Sequence, residues 1–320
     1  MSNEDVPETP TAMIERRLRE MKVVLDPEIH YQLDKVFPKL TGWGSNGDIK
    51  RRGKMIRLVE PALKRLLLEG EQVLHVAKGV QYSFLEHYFM GFWAALLNQT
   101  VFVLTNARLL MMRSDSNGKP SEMFWMIYYS EIANFKTSWS GVLNLKLRDQ
   151  SKPRFTGFSS LDRKSMPIIF RESMEDYQRL NFSPTTTQSR ENLCCHCFQV
   201  VPKGDWTCGN CGTEYWKPSQ LALRSLIFPS WGDICMKHYV FAFFEVIGYM
   251  ASWAVAVAHF ANGDEQTGFM VLGFIFLIEH TVDSMLTFGL ASKGLNHRRN
   301  PDPNRHFLAP GEHQPMRADT

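Results

Sequence analysis

Two long runs of apolar residues dominate the last quarter of the chain. Residues 239–260 hold 22 positions with Glu245 as the sole formal charge besides His259 at the far end, and residues 268–290 hold 23 positions. At about 1.5 Å of rise per helical residue, each run reaches across a hydrocarbon core of about 30 Å, so a pair of transmembrane helices is predicted. Their connection, 261–267, contains Asp264 and Glu265 and no Lys or Arg. Lys217, Arg224 and Lys237 precede the first run, and Lys293, Arg298, Arg299 and Arg305 follow the second. The positive-inside bias then places both ends in the cytoplasm. The alternative is a buried helical pair in a soluble protein.

Upstream the period changes. Leu143, Leu145 and Leu147 alternate with Asn144, Lys146 and Arg148, the mark of a half-buried strand. Residues 101–104 and 108–112 are apolar runs flanking Thr105, Asn106 and Ala107, which predicts a hairpin. Further strands are expected at 73–80, 123–129 and 154–158, with a closing helix over 161–176. Many strands followed by one helix point to a small barrel capped by that helix. Residues 84–97 are apolar but too short to span, and a helix inserted in the barrel is preferred over a face that dips into the membrane. The first seventy residues have helical spacing at 13–24, 29–37 and 50–68, where Pro61 is expected to sit in a first turn or to break the helix.

Polar residues inside the apolar runs are costly unless paired, and their spacing is ordered. Glu279, Asp283 and Thr287 recur every fourth residue, with His280 and Ser284 beside them, and the first run answers with Glu245, Ser252 and His259. One reading is a proton relay or ion site built from Glu245, Glu279, His280 and Asp283. The preferred reading is interhelical hydrogen bonding, with Glu245 paired to Asp283 or His280, or the reception of the segment that precedes the first helix.

Cys194, Cys197, Cys208 and Cys211 form two Cys-x2-Cys pairs. Four thiolates so placed can close a tetrahedron around one structural Zn2+, leaving Cys195 and His196 outside it. Five of the six cysteines fall in this short stretch, which favours a metal in a reducing compartment over disulfides. The net charge of +3 is too small and dispersed to argue for nucleic acid. The acidic start of the chain has no apolar core of a signal peptide. Lys50, Arg51, Arg52, Lys54 and Arg57 form a basic segment, read either as a contact for anionic lipid or as a solvated face. Catalytic motifs such as G-x-S-x-G, a phosphate-cradling glycine loop and His-Glu-x-x-His do not occur, so a non-enzymatic role is expected.

Two resemblances follow from these residues. The stretch VFVLTNARLLMMR followed by IYYSEIANF resembles pleckstrin-homology-like and GRAM-like domains, which implies a module that binds lipid headgroups or peptides. LIFPSWGD, followed by Phe244-Glu245 and Glu279-His280-x-x-Asp283, resembles the short hairpin domain of bacterial membrane proteins that often carry a cytoplasmic zinc ribbon. The expected architecture is a multidomain α+β membrane protein: a helical region with the basic segment (1–70), a PH-like β-barrel with its capping helix (71–180), a linker (181–193), a zinc ribbon (194–216), an interfacial segment (217–237), a transmembrane hairpin (238–292) and a cytoplasmic tail (293–320). The expected function is an adaptor or sensor at the inner membrane, with membrane lipids and an unidentified protein as partners. The alternatives are a subunit of an oligomeric ion or small-solute transport system using the Glu/His/Asp cluster, for which homo-oligomers would be needed, and a membrane enzyme holding a metal in that cluster.

Overall fold

In the computed structural model the described residues are 9–179 and 184–300, so both chain ends and most of the expected tail lie outside them. Helices α1 (Pro10–Glu20), α2 (Leu33–Val36) and α3 (Ser45–Leu66) lead into strand β1 (Val73–Gln81). Thr9 caps α1 by accepting from the Ala12 N–H, and Pro10 opens the first turn, both ordinary helix-start chemistry. Pro61 neither opens nor ends α3. Ile56, Val59 and Leu63 are fully buried around it, and that apolar stripe against the sheet carries the helix past the missing N–H.

Two short helices, α4 (Phe84–Met90) and α5 (Phe92–Leu97), separate β1 from β2 (Gln99–Thr105). Strands β3 (Arg108–Ser114), β4 (Pro120–Tyr128), β5 (Ile132–Thr137), β6 (Leu143–Leu147) and β7 (Arg154–Thr156) follow, then helix α6 (Ser160–Arg179). The β2–β3 hairpin forms as predicted, its turn closed by the Thr105 hydroxyl, which accepts from the N–H groups of Ala107 and Arg108. On β6 the three leucines are buried and the residues between them are not.

The sheet does not close into a barrel. Its order is β5-β6-β7-β1-β2-β3-β4-β8-β9, where β8 (Glu191–Leu193) and β9 (Val200–Val201) come from the ribbon region. The edge of β4, which a closed barrel needs for its own return, is occupied by β8 through Phe124, Trp125 and Met126. The central strands are consequently covered on both faces. Val101, Val103 and Leu110 pack under the α1–α3 layer, while Phe102, Leu104 and Leu109 pack with β5–β7 and α6. Burial on two sides explains why β2 and β3 read as continuous apolar runs rather than as alternations. The expected linker also shortens, since 191–193 are part of the sheet and Glu191 accepts hydrogen bonds from Thr187 and Gln188.

After β10 (Glu214–Trp216) come α7 (Pro218–Ile227), α8 (Trp231–Cys235) and the two long helices α9 (Tyr239–Ala261) and α10 (Glu265–Ala291). Both are long and apolar enough to cross a membrane. A π-type turn interrupts α10 at Ile275–His280. The chain then returns as β11 (Asn296–Arg299) and pairs antiparallel with β10. Gly294, on the way, is packed so closely on Trp125 that a Cβ would lie 2.7 Å from the ring.

Candidate metal centre and polar seam

Cys194 follows β8 directly and Cys208 stands in the equivalent place of a second turn. The two turns share one geometry: Phe198 N–H donates to the Cys194 carbonyl at 3.0 Å, and Gly212 N–H to the Cys208 carbonyl at 2.8 Å. Phe198 and Gly212 both take the left-handed conformation that such a turn requires. Phe198 tolerates it with its ring held edge-on to Phe124 and under the Arg65 guanidinium.

These turns bring the four sulfur atoms together. Cys194, Cys197, Cys208 and Cys211 are all buried, and their Sγ atoms lie within 4.8 Å of one another, with 3.5 Å separating Cys194 from Cys211 and Cys197 from Cys208. A tetrahedron with metal–sulfur bonds of about 2.3 Å has edges of about 3.8 Å, so the quartet has the size a metal needs. Hydrogen bonds from Cys195, Cys197 and Cys208 draw the Cys194 thiol far below its ordinary value. Tyr215 donates to Cys194 Sγ at 3.0 Å and fixes its direction. Cys195 is outside the quartet, beside the Tyr215 hydroxyl, and His196 is exposed.

The polar stripe of α10 meets the α7–α8 segment. His280 Nδ1 contacts the Leu226 carbonyl at 2.8 Å, Ser284 donates to the Ala222 carbonyl at 2.8 Å, Asp283 accepts from Ser230 N–H at 2.8 Å, and Thr287 lies 2.9 Å from the Ser225 hydroxyl. Residues 280, 283, 284 and 287 thus form one seam that seats α7–α8 against α10. Gly232 is the closest approach, where a Cβ would lie 2.5 Å from Thr287 Cγ2 and 2.8 Å from the Leu221 carbonyl. Reception of this segment was one of the two structural readings of the stripe.

The four residues grouped from the sequence divide among different partners. Glu279 accepts from Ser252 at 2.5 Å on α9, and His280 Nε2 is 3.3 Å from the Tyr249 hydroxyl. Glu245 makes no hydrogen bond to Asp283 or His280 among the described residues. Its carboxylate instead stands in a group with Asp283 and Asp233, ligand atoms within 4.8 Å of each other. Asp233 was missed because it lies in the short α8, outside both apolar runs.

The basic segment also divides. Lys50, Arg51, Lys54 and Arg57 are exposed on α3. Arg52 is 3 % exposed and is removed from any lipid-facing set: its guanidinium donates to Asp162 at 2.7 Å and to the Val76 carbonyl at 2.5 Å. Burial works to raise the Asp162 carboxyl, but His75, Arg52 and Ser159 outweigh it and hold the group well below its ordinary value.

A second buried cation ties the sheet to the long helices. Lys293, just after α10, pairs with Glu86 of α4 and donates to Asn98 Oδ1 at 2.9 Å, while Asn98 Nδ2 donates to Glu86 at 2.6 Å. Burial pushes the Lys293 ammonium down to about 8, against the pull of Glu86. Around this point Met90 and Ala94 pack with Leu221, Phe241 and Leu290. The helices α4 and α5 are therefore inserted between β1 and β2, as preferred from sequence, but they pack on the long helices and leave Phe84, Tyr88 and Phe92 exposed.

No protein-family model matches the chain, and no curated protein matches it. Among solved structures it is similar to the C-terminal domain of an unknown protein from Leishmania infantum, at 14% identity and a TM-score of 0.25, over 37% of this chain and 93% of that one.

Proposed function

We propose that this chain is a non-enzymatic, membrane-anchored adaptor whose sheet domain is held at the cytoplasmic surface of the inner membrane. The observation that carries the reading is one continuous apolar surface. The apolar windows of α9 and α10 are only 17% and 22% buried, which fits helices surrounded by lipid and not a core pair of a soluble protein. The exposed Phe84, Tyr88 and Phe92 of α4–α5 and Leu223, Ile227 and Trp231 of α7–α8 extend that surface around one end of the hairpin. Such a collar of aromatic and aliphatic side chains suits the headgroup boundary.

What supports a PH-like reading of the sheet domain is its antiparallel run β5-β6-β7-β1-β2-β3-β4 followed by α6, with β8 on the edge that would close a barrel. A pocket of about 270 Å³ opens between α3 and the β3–β4 turn, lined by Arg51, Lys54, Lys78 and Ser116. Its positive lining fits an anionic lipid headgroup. The ribbon's four thiolates hold one structural zinc, which leaves no coordination position for a substrate.

The test is alkaline carbonate extraction of membranes from expressing cells, combined with a reporter fused at the C-terminus. Protein retained in the pellet with a cytoplasmic reporter is expected. Extraction into the soluble fraction, or a reporter on the outer side, would overturn the reading.

A further inference from the structure

Asp233, Glu245 and Asp283 come from three elements, α8, α9 and α10, and converge where the α7–α8 segment meets the hairpin. Asp233 and Asp283 are 1 % and 9 % exposed. Three carboxylates this close repel strongly in a medium poor in water, and nothing cationic of fixed charge answers them: among the described residues none forms an ion pair with Lys or Arg. Asp233 has His238 Nδ1 at 2.8 Å and the Thr287 hydroxyl at 3.3 Å, and Asp283 has the Ser230 N–H at 2.8 Å.

Two atoms in the group have no partner. Glu245 Oε2 is shut away from solvent without a hydrogen bond. Ser230 is fully buried, in a left-handed conformation uncommon for serine, and its Oγ faces the Glu245 carboxyl without reaching hydrogen-bonding geometry. A buried hydroxyl and a buried carboxylate oxygen from neighbouring side chains, both without a partner, are costly unless something satisfies them.

The geometry points to a binding site for one hard divalent cation, of the Mg2+, Mn2+ or Ca2+ class, held by Asp233, Glu245, Asp283 and the Ser230 hydroxyl. All the donors are oxygen, which selects hard cations over zinc. Ligand oxygens on opposite sides of such an ion, each at about 2.0–2.6 Å, are about 4–5 Å apart, so three carboxylates with oxygens all within 4.8 Å of one another are close enough to share one ion. The cation would clamp the α7–α8 segment to both long helices, so its occupancy would set how firmly the collar is seated.

The test uses the full chain in detergent micelles, with ribbon zinc quantified separately. Mn2+ is titrated and free ion followed by its paramagnetic resonance, with Mg2+ and Ca2+ as competitors to identify the preferred ion. One Mn2+ per chain is expected, with an apparent Kd raised at least tenfold in Glu245→Gln and unchanged in Glu279→Gln. Glu245→Gln removes no protein hydrogen bond, so it remains decisive if Asp283→Asn, which disturbs the Ser230 contact, fails to fold. Wild-type protein that retains no Mn2+ at millimolar concentration, or Glu245→Gln that binds it as tightly as wild type, would overturn the site and leave the carboxylates sharing protons.

Discussion

Replacing Lys293 with Met removes the cation from a pair in which the two side chains are 9% and 4% exposed. Met fills nearly the same volume, so the cost is mainly electrostatic: Glu86 and Asn98 remain buried with their strongest donor gone. Removing one partner of a buried pair costs about 3–5 kcal/mol, whereas replacing both with apolar groups is often neutral. The pair joins α4 to Lys293, two residues beyond the end of α10, so the loss should concentrate in the α4–α5 insertion. Amide hydrogen exchange over 84–97 should accelerate by roughly two to three and a half orders of magnitude, at about 1.4 kcal/mol per factor of ten. Glu86→Leu alone should also loosen the insertion, because the ammonium then loses its carboxylate. The double variant Glu86→Leu/Lys293→Met should recover most of the protection. Protection changed by less than about fivefold in Lys293→Met, or a double variant as exposed as the sum of the singles, would refute the idea that this pair fastens the sheet to the hairpin.

Metal analysis should find one zinc per chain, lost in Cys194→Ser and Cys208→Ser and kept in Cys195→Ser; loss in the last variant alone would put the wrong thiol in the quartet. Gly232→Ala should unseat α7–α8, because the added Cβ meets the backbone carbonyl of Leu221 as well as Thr287; accelerated protease cleavage within 221–235 would show it, and unchanged cleavage would count against the close packing. Asp162→Asn should lower the melting temperature by several degrees, since Arg52 and His75 lose their anion. With a folded value below the ordinary 3.8, the wild-type carboxylate contributes fully above about pH 5, and that contribution fades as pH falls below about 4. The Asn variant should lack this acid-dependent component in pH-jump unfolding.

What the sequence made legible was local and periodic. The leucine alternation of β6, the Thr105 turn, the paired cysteines and the two apolar runs are each set by residues within a few positions of one another, and all appear where expected. Contacts between distant residues left no such mark. Glu86 and Lys293 are 207 positions apart, and Arg52 and Asp162 are 110 apart, so each looked like an ordinary charge in its own neighbourhood. For that reason the sequence groups Arg52 with the basic segment read as a lipid contact or a solvated face, although it is buried. The barrel expectation failed similarly: nothing near β4 signals that β8 will take its edge. The α10 stripe was visible as a polar face, but its partner was a short turn-rich segment whose carbonyls carry no sequence signature.

The pairing of β10 with β11 also has a consequence for biosynthesis. The strand leaving the ribbon, Glu214–Trp216, waits for Asn296–Arg299, and everything between them is the helical hairpin with its collar. A ribosome delivers β11 only after both long helices have been made, so the ribbon's last strand stays open-edged throughout that interval. Closure is then a late checkpoint: it succeeds only if the hairpin has folded back far enough to return the chain beside its starting point. A chain with a misfolded hairpin would display an unpaired strand edge next to an incompletely fastened thiolate cluster, the kind of signal that quality-control proteases recognise in unfinished proteins.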